Sequence, residues 1–199
     1  MKNLREPLDL PEIRNITISG RIGAGATTLA KKLSDLLNWP LLEGGDLFEK
    51  IHKELNISQI DVLQRPDSFD LQFEAQIKKI LSDEKNQIIQ SHLAGFDIQG
   101  IAGVYKILVI CQDPQGQDKA DIRIDRLMNR DGISLEAAKH EALTREKENL
   151  EKFRKLYAHN DSNWIYWDPK YYDLIVNTYS LNKEEALEFV LKQIGYKAP

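Results

Sequence analysis

The sequence predicts a doubly wound α/β fold, a parallel sheet flanked by helices, and three observations predict it. Short apolar or β-branched runs alternate with segments of helical period along almost the whole chain. The run at 105–111 is nearly continuously apolar, as expected of a strand at the centre of a parallel sheet. A glycine-rich turn follows the first strand and opens directly into an amphipathic helix.

In chain order, residues to about Pro11 read as a lead-in and Ile13 to Ser19 as the first strand. Thr27 to Leu37 is a helix with Leu29, Leu33, Leu36 and Leu37 on one face, ended by Asn38-Trp39-Pro40. Leu41-Leu42-Glu43 is a short strand, Gly44-Gly45 a turn, and Asp46 a cap for a helix carrying Phe48, Ile51 and Leu55. Ser58 to Leu63 is a short helix. Ser68 to Ser82 is a longer one, with Phe69, Phe73, Ile77, Ile80 and Leu81 inward. Gln87 to Gln90 is a strand, and His92 to Gly103 a loop with partial helix potential. Tyr105 to Cys111 is the central strand, ended by Asp113-Pro114. Asp121 to Arg130 is a helix closed by Asp131-Gly132. A helix capped by Ser134 runs to about Tyr157, with Tyr172 to Asn177 the last strand and Lys183 to Ile194 the last helix.

The chain has 199 residues, enough for one domain with a real core. A net charge of −4 offers no electrostatic case for nucleic acid or an anionic membrane. One cysteine, Cys111, excludes an internal disulfide and suits a reducing, cytoplasmic compartment. The start has no apolar stretch of a secretory signal, and no segment is apolar enough to span a bilayer.

The turn Gly20-Arg21-Ile22-Gly23-Ala24-Gly25-Ala26-Thr27-Thr28 carries the chemistry. It fits the phosphate-binding pattern G-x-x-x-x-G-K-[ST] except that Ala26 stands where the lysine should be. Its glycines let backbone N–H groups turn inward around an anion, and the helix start adds its positive dipole end. Thr27 is placed to offer a hydroxyl to Mg²⁺, and Thr28 to close the first turn. The missing group is the point charge on the β- and γ-phosphates.

Later segments carry a resemblance. Arg126-Leu127-Met128-Asn129-Arg130-Asp131-Gly132-Ile133-Ser134, Thr144-Arg145-Glu146 and Phe153-Arg154-Lys155-Leu156-Tyr157 resemble the lid of the cytidylate kinases, most closely the archaeal type. Asp173 to Thr178 looks like that family's final strand, and Gly45-Asp46-Leu47-Phe48 and Leu93-Ala94-Gly95 like its acceptor-side elements. The likeness runs in order from about Ile13 to Ile194. It implies a three-layer P-loop NTPase fold with a nucleoside monophosphate (NMP)-binding helical insertion and a helical lid. The core would be 13–45, 86–118 and 172–195, the NMP-binding region about 46–85 and the lid about 119–157. It also implies ATP-dependent phosphorylation of CMP or dCMP with Mg²⁺, by a monomer.

The resemblance assigns Arg126, Arg130 and Arg145 to charge stabilisation on the transferring phosphoryl group; Arg123 also matches a basic lid position. Lys152, at i+7 from Arg145, stands where the family usually has another arginine. Arginine suits this role because its planar fork pairs with phosphate oxygens; a solvated, charged helix surface is the alternative. On the acceptor side the family's arginine after Phe48 is Glu49, followed by Lys50, and its Glu-Gly-Arg is Gln90-Ser91-His92. Lys50 and His92 are the partial substitutes. The archaeal type often has threonine at the lysine position, which makes Ala26 less decisive.

Several residues keep two readings. Asp46 contacts a base or ribose, or caps a helix. Asp70 matches a family aspartate that holds a base or an arginine, or is a surface charge. Asp113, at the carboxyl edge of the central strand, orients water around Mg²⁺ or caps the following turn. Trp164, Trp167, Tyr171 and Tyr172 read as packing rather than base stacking. His52, His140 and His159 lack metal-ligand spacing. Two functional alternatives stand beside the NMP kinase: a kinase of a different small acceptor, and a nucleotide-binding protein with impaired or no transfer.

Overall fold

The computed structural model describes residues 6–46 and 65–197. Lys50, Glu49, Phe48, His52 and the expected helix at 58–63 lie outside the described residues. The sheet has five parallel strands, β1 (Asn15–Gly20), β2 (Leu41–Glu43), β3 (Gln87–Gln90), β4 (Val104–Ile110) and β5 (Leu174–Asn177), in the order β2-β3-β1-β4-β5. Every paired strand is parallel; Ile18 of β1 is level with Gln90 of β3 and Ile107 of β4. All six residues of β1 are buried, which is why it tolerates no solvent-facing alternation.

Helices cover both faces. The first, α1 (Ala26–Leu37), lays Leu29, Leu33 and Leu37, one turn apart, against β1 and joins α7 (Lys183–Gln193) in the larger core. Asn38 ends it at φ 54°, a conformation asparagine tolerates. On the other face α2 (Asp67–Asp83) buries Phe73, Ile77 and Leu81 with Ala94 of the short α3 (Ala94–Asp97). Asn182 and Glu185 form a reciprocal capping box on α7. Among the described residues no helix is long and apolar enough to cross a membrane.

Helix α4 (Ala120–Asp131) ends at Gly132 with φ 64°. Then α5 (Leu135–Lys139), a π-helical turn (His140–Arg145) and α6 (Glu146–Tyr157) form one continuous helical stretch. Ser134 Oγ accepts the Ala137 N–H at 3.2 Å, the expected cap. The π turn is new relative to the sequence reading; the wide turn re-aims the side chains that follow it. Gly44-Gly45, expected as a turn, is instead helical, since residues 44–46 begin a helix directly after β2.

Candidate active site

At the carboxyl ends of β1 and β3 the glycine-rich turn takes the shape its sequence requires. Gly23 has φ 80° and Gly25 φ 106°, and a Cβ on Gly23 would stand 2.6 Å from the Arg123 carbonyl. Gly25 is the N-cap of α1, so the first amides of that helix have no carbonyl behind them and face outward for an anion. Ala26 begins α1, its methyl joining the core while the residue still borders the cleft. The Thr27 hydroxyl donates to Gln90 Oε1 at 3.4 Å. Amides in a concave turn, a hydroxyl and a neighbouring amide oxygen fit Mg-nucleotide, whose cation keeps few protein ligands. Among the described residues no group of three or more His, Cys, Asp or Glu could hold a metal by itself.

Glu146, first residue of α6, ties the lid to this turn. Its carboxylate accepts from Arg21 Nε at 3.0 Å, from the Ile22 N–H at 3.1 Å and from Arg123 Nη1 at 3.1 Å. Asp118 pairs with both arginines, at 3.1 Å to Arg21 and 2.8 Å to Arg123. Arg123, 0 % exposed, also donates to the Ile22 carbonyl at 2.6 Å. Arg21 lies 4.6 Å from the Trp167 ring centroid.

The lid arginines separate into two groups. Arg126 donates to Thr178 Oγ1 at 2.8 Å and to the Thr178 carbonyl at 2.7 Å, binding the end of β5 rather than bordering the cleft. Arg130 and Arg145 do border it, paired with Asp131 and Glu141, each at 2.6 Å. Lys152 is buried and pairs with Asp70 at 2.9 Å, so it serves the contact between α6 and α2.

One cleft of about 860 Å³ runs from the glycine turn to the face of α2. Asp46 and His92 border it. His92 Nδ1 is 3.3 Å from the Gly20 carbonyl, and burial, with Arg145 nearby, holds its pKa below the ordinary histidine value. It is therefore neutral at pH 7 and supplies no charge for a phosphate. Asp70 is buried and grips Arg65 with both oxygens, at 2.6 and 3.2 Å. It holds an arginine, one of its two expected roles, and is not a surface charge. Arg65, just before α2, is the buried arginine at that end of the cleft.

Two other expectations resolve as well. Asp113 accepts the Gln115 and Gln117 N–H groups at 3.0 and 2.9 Å, capping its own turn, and is not among the cleft residues. It thus makes the turn-capping contacts that were one of its two expected roles. The aromatic group before β5 is packing: Phe96 meets Trp164 and Tyr171 edge-on at 5.1 and 5.0 Å.

Glu74, Asn149 and the role of Glu146 escaped the sequence reading. All three are buried polar residues on helical faces, and all three sit among apolar positions. Glu74, one turn after Asp70 and beside Phe73 on the inward face of α2, was the readable signal. Burial lifts the Glu74 pKa to about 7, against the hydrogen bond it accepts from the Tyr157 hydroxyl.

The chain is similar to known proteins in sequence and in fold. Residues 15–94 match the cytidylate kinase-like family. The chain is 27% identical over 185 residues to a cytidylate kinase of Archaeoglobus fulgidus, covering 92% of this chain and 95% of that one. It is 29% identical over 182 residues to that of Ignicoccus hospitalis, covering 90% and 98%. Among solved structures, a shikimate kinase from Bacteroides thetaiotaomicron superposes with a TM-score of 0.56 at 14% identity, over 92% of this chain and 98% of that one, a likeness of fold.

Proposed function

We propose, for a chain similar to the cytidylate kinases in sequence and sharing the P-loop kinase fold, that it is an ATP-dependent nucleoside monophosphate kinase with CMP or dCMP as acceptor. The observation that supports this best is the single cleft joining the glycine turn to Arg65 and Asp70 on the α2 side, with Arg130 and Arg145 along its lid wall. A cytoplasmic monomer with no nucleic-acid or membrane partner is the form in which such an enzyme would work.

Residues 20–27 would hold the triphosphate through backbone amides, and Thr27 with Gln90 would hold Mg²⁺. When bound, Mg²⁺ neutralises charge on the phosphate oxygens. Arg130 and Arg145 would turn from Asp131 and Glu141 onto phosphate oxygens, exchanging one anionic partner for another. The lid would exclude water, which competes as phosphoryl acceptor. Arg65, held by Asp70, would orient the acceptor phosphate. The acceptor oxygen attacks the terminal phosphorus, the bond to the leaving ADP oxygen breaks, and ADP and a nucleoside diphosphate result.

A second reading, nucleotide binding without transfer, is supported by the Ala26 methyl at the position of the usual lysine and by the neutral Gln90 beside Thr27. ADP release from Mg-ATP with CMP, dCMP, UMP, AMP and GMP offered singly separates the two. Turnover with CMP or dCMP well above the no-acceptor rate is expected. Stabilisation by ATP without acceptor-dependent ADP would overturn the kinase reading in favour of the second.

A further inference from the structure

We infer that Glu74 and Asn149 read the base of the acceptor, and that Glu74 selects a pyrimidine with an exocyclic amine over one with a carbonyl in that place. The inference rests on the acceptor end of the cleft binding a nucleotide, as proposed above.

Glu74 on α2 and Asn149 on α6 border the same cleft, with Phe73 and Phe153 supplying apolar wall beside them. Glu74 is 5 % exposed and Asn149 4 %. The Asn149 carboxamide makes no hydrogen bond among the described residues, although it is more than nine-tenths buried. Its amide atoms are not among the fully enclosed polar atoms that lack a partner, so they open onto the cleft and can meet a ligand there. The Tyr157 hydroxyl donates to Glu74 Oε1, which leaves Oε2 for the cleft. Asp70, one turn away on α2, is paired with Arg65 and Lys152, while Asp97 on α3 faces Glu74 and Lys78 on α2 lies near both carboxyls. A neutral planar ring that offers an N–H fits.

An amino group donates to Glu74 Oε2, while the Asn149 amide donates to the adjacent ring nitrogen. A carbonyl in the amine's place would set its lone pairs against those of the ionised carboxylate, so the selectivity is read at pH 8, above the Glu74 value of about 7. Asn149 can present either end of its amide, so it contributes to both kinds of ring and does not discriminate.

The test is calorimetric titration of the whole chain with CMP and UMP, alongside ADP release, for wild type, Glu74→Gln and Asn149→Ala. In Glu74→Gln the Tyr157 hydroxyl holds the amide oxygen, which turns the NH₂ into the cleft. CMP affinity should fall about tenfold or more and UMP affinity rise several-fold, a selectivity change on the order of 100-fold. Asn149→Ala should weaken both by about tenfold with their ratio unchanged. Thermal melts confirm that each variant is folded. Equal weakening of CMP and UMP in folded Glu74→Gln, or no change in either, overturns the inference alone. Wild type that binds neither overturns it together with the kinase reading. Selective CMP binding without ADP release, inverted by Glu74→Gln, supports the inference and overturns only the kinase.

Discussion

Glu146 Oε2 on α6 accepts the backbone N–H of Ile22 in the glycine turn at 3.1 Å. One lid carboxylate thereby fixes the turn and neutralises Arg21 and the fully buried Arg123. Glu146→Ala should be strongly destabilising, about 3–5 kcal/mol, because it strands a buried guanidinium. Glu146→Gln keeps the shape and one acceptor and should cost less. Urea midpoints measure both; equal and small losses would mean that Asp118 alone holds the arginines.

Gly23 is a second point where lid and turn meet. Its φ of 80° and the Arg123 carbonyl 2.6 Å from a would-be Cβ leave no room for a side chain. Gly23→Ala should lose more than about 2 kcal/mol, from left-handed strain plus overpacking. Gly45→Ala, with nothing within 4 Å of its Cβ, is the control and should be neutral or mildly stabilising. Denaturant titration of the pair decides it.

Gly23 marks what was readable in the chain, and Gly45, expected in a turn and found in a helix, what was not. The strand–turn–helix order, β3 at Gln87–Gln90, the Ser134 cap and the Gly132 stop follow from period and capping chemistry, which are local in sequence. The long-range partners are not local. Nothing around Arg123 says that it will meet Glu146 across 23 positions, and nothing around Arg65 says that Asp70 and Lys152 will bury it. The π turn at His140–Arg145 has no composition signal; α5 and the turn itself pack on α4, a contact made across the chain rather than within the turn. Arg126 and Arg130 are one turn apart on α4, yet one reaches Thr178 just past β5 and the other borders the cleft.

Stability should also depend on pH through the carboxyls between α2 and α3. Burial raises Glu74 to about 7 and Asp97 to about 8, both above their unfolded values. At these two groups the folded chain binds more protons than the unfolded one between roughly pH 4 and 8, while His92, lowered by burial, works in the opposite direction. The carboxyl contribution is complete below the ordinary carboxylate range and is lost as pH rises through 7 to 8. Melting temperature should fall by several degrees from pH 5 to pH 8. A tenfold difference in proton affinity between folded and unfolded chain is worth about 1.4 kcal/mol, and each kcal/mol moves the midpoint by a few degrees. Glu74→Gln should flatten the profile; an unchanged slope would assign the effect to other groups.

Arg130 is exposed, and its pair with Asp131 is a surface one. Arg130→Ala should shift stability by less than about 0.5 kcal/mol. If Arg130 carries transition-state charge, kcat should fall on the order of 100-fold with the KM for ATP little changed. Arg145→Ala should act in the same direction. A loss confined to KM would make these arginines ground-state binders.

Ala26 sets the last prediction. It borders the cleft at the first position of α1, so a longer side chain there has a path toward the phosphates. Ala26→Lys adds the missing point charge without displacing a charged partner, and Ala26→Met adds comparable length without charge. If transfer is limited by that charge, Ala26→Lys should raise kcat at least about tenfold while Ala26→Met does not. If Arg130 and Arg145 already neutralise the phosphates, Ala26→Lys should change little in the wild-type background but rescue Arg130→Ala. Steady-state ADP release across the four single variants and the Ala26→Lys/Arg130→Ala double variant distinguishes these cases. No gain in either background would mean that the lysine position is not the weak point of this site.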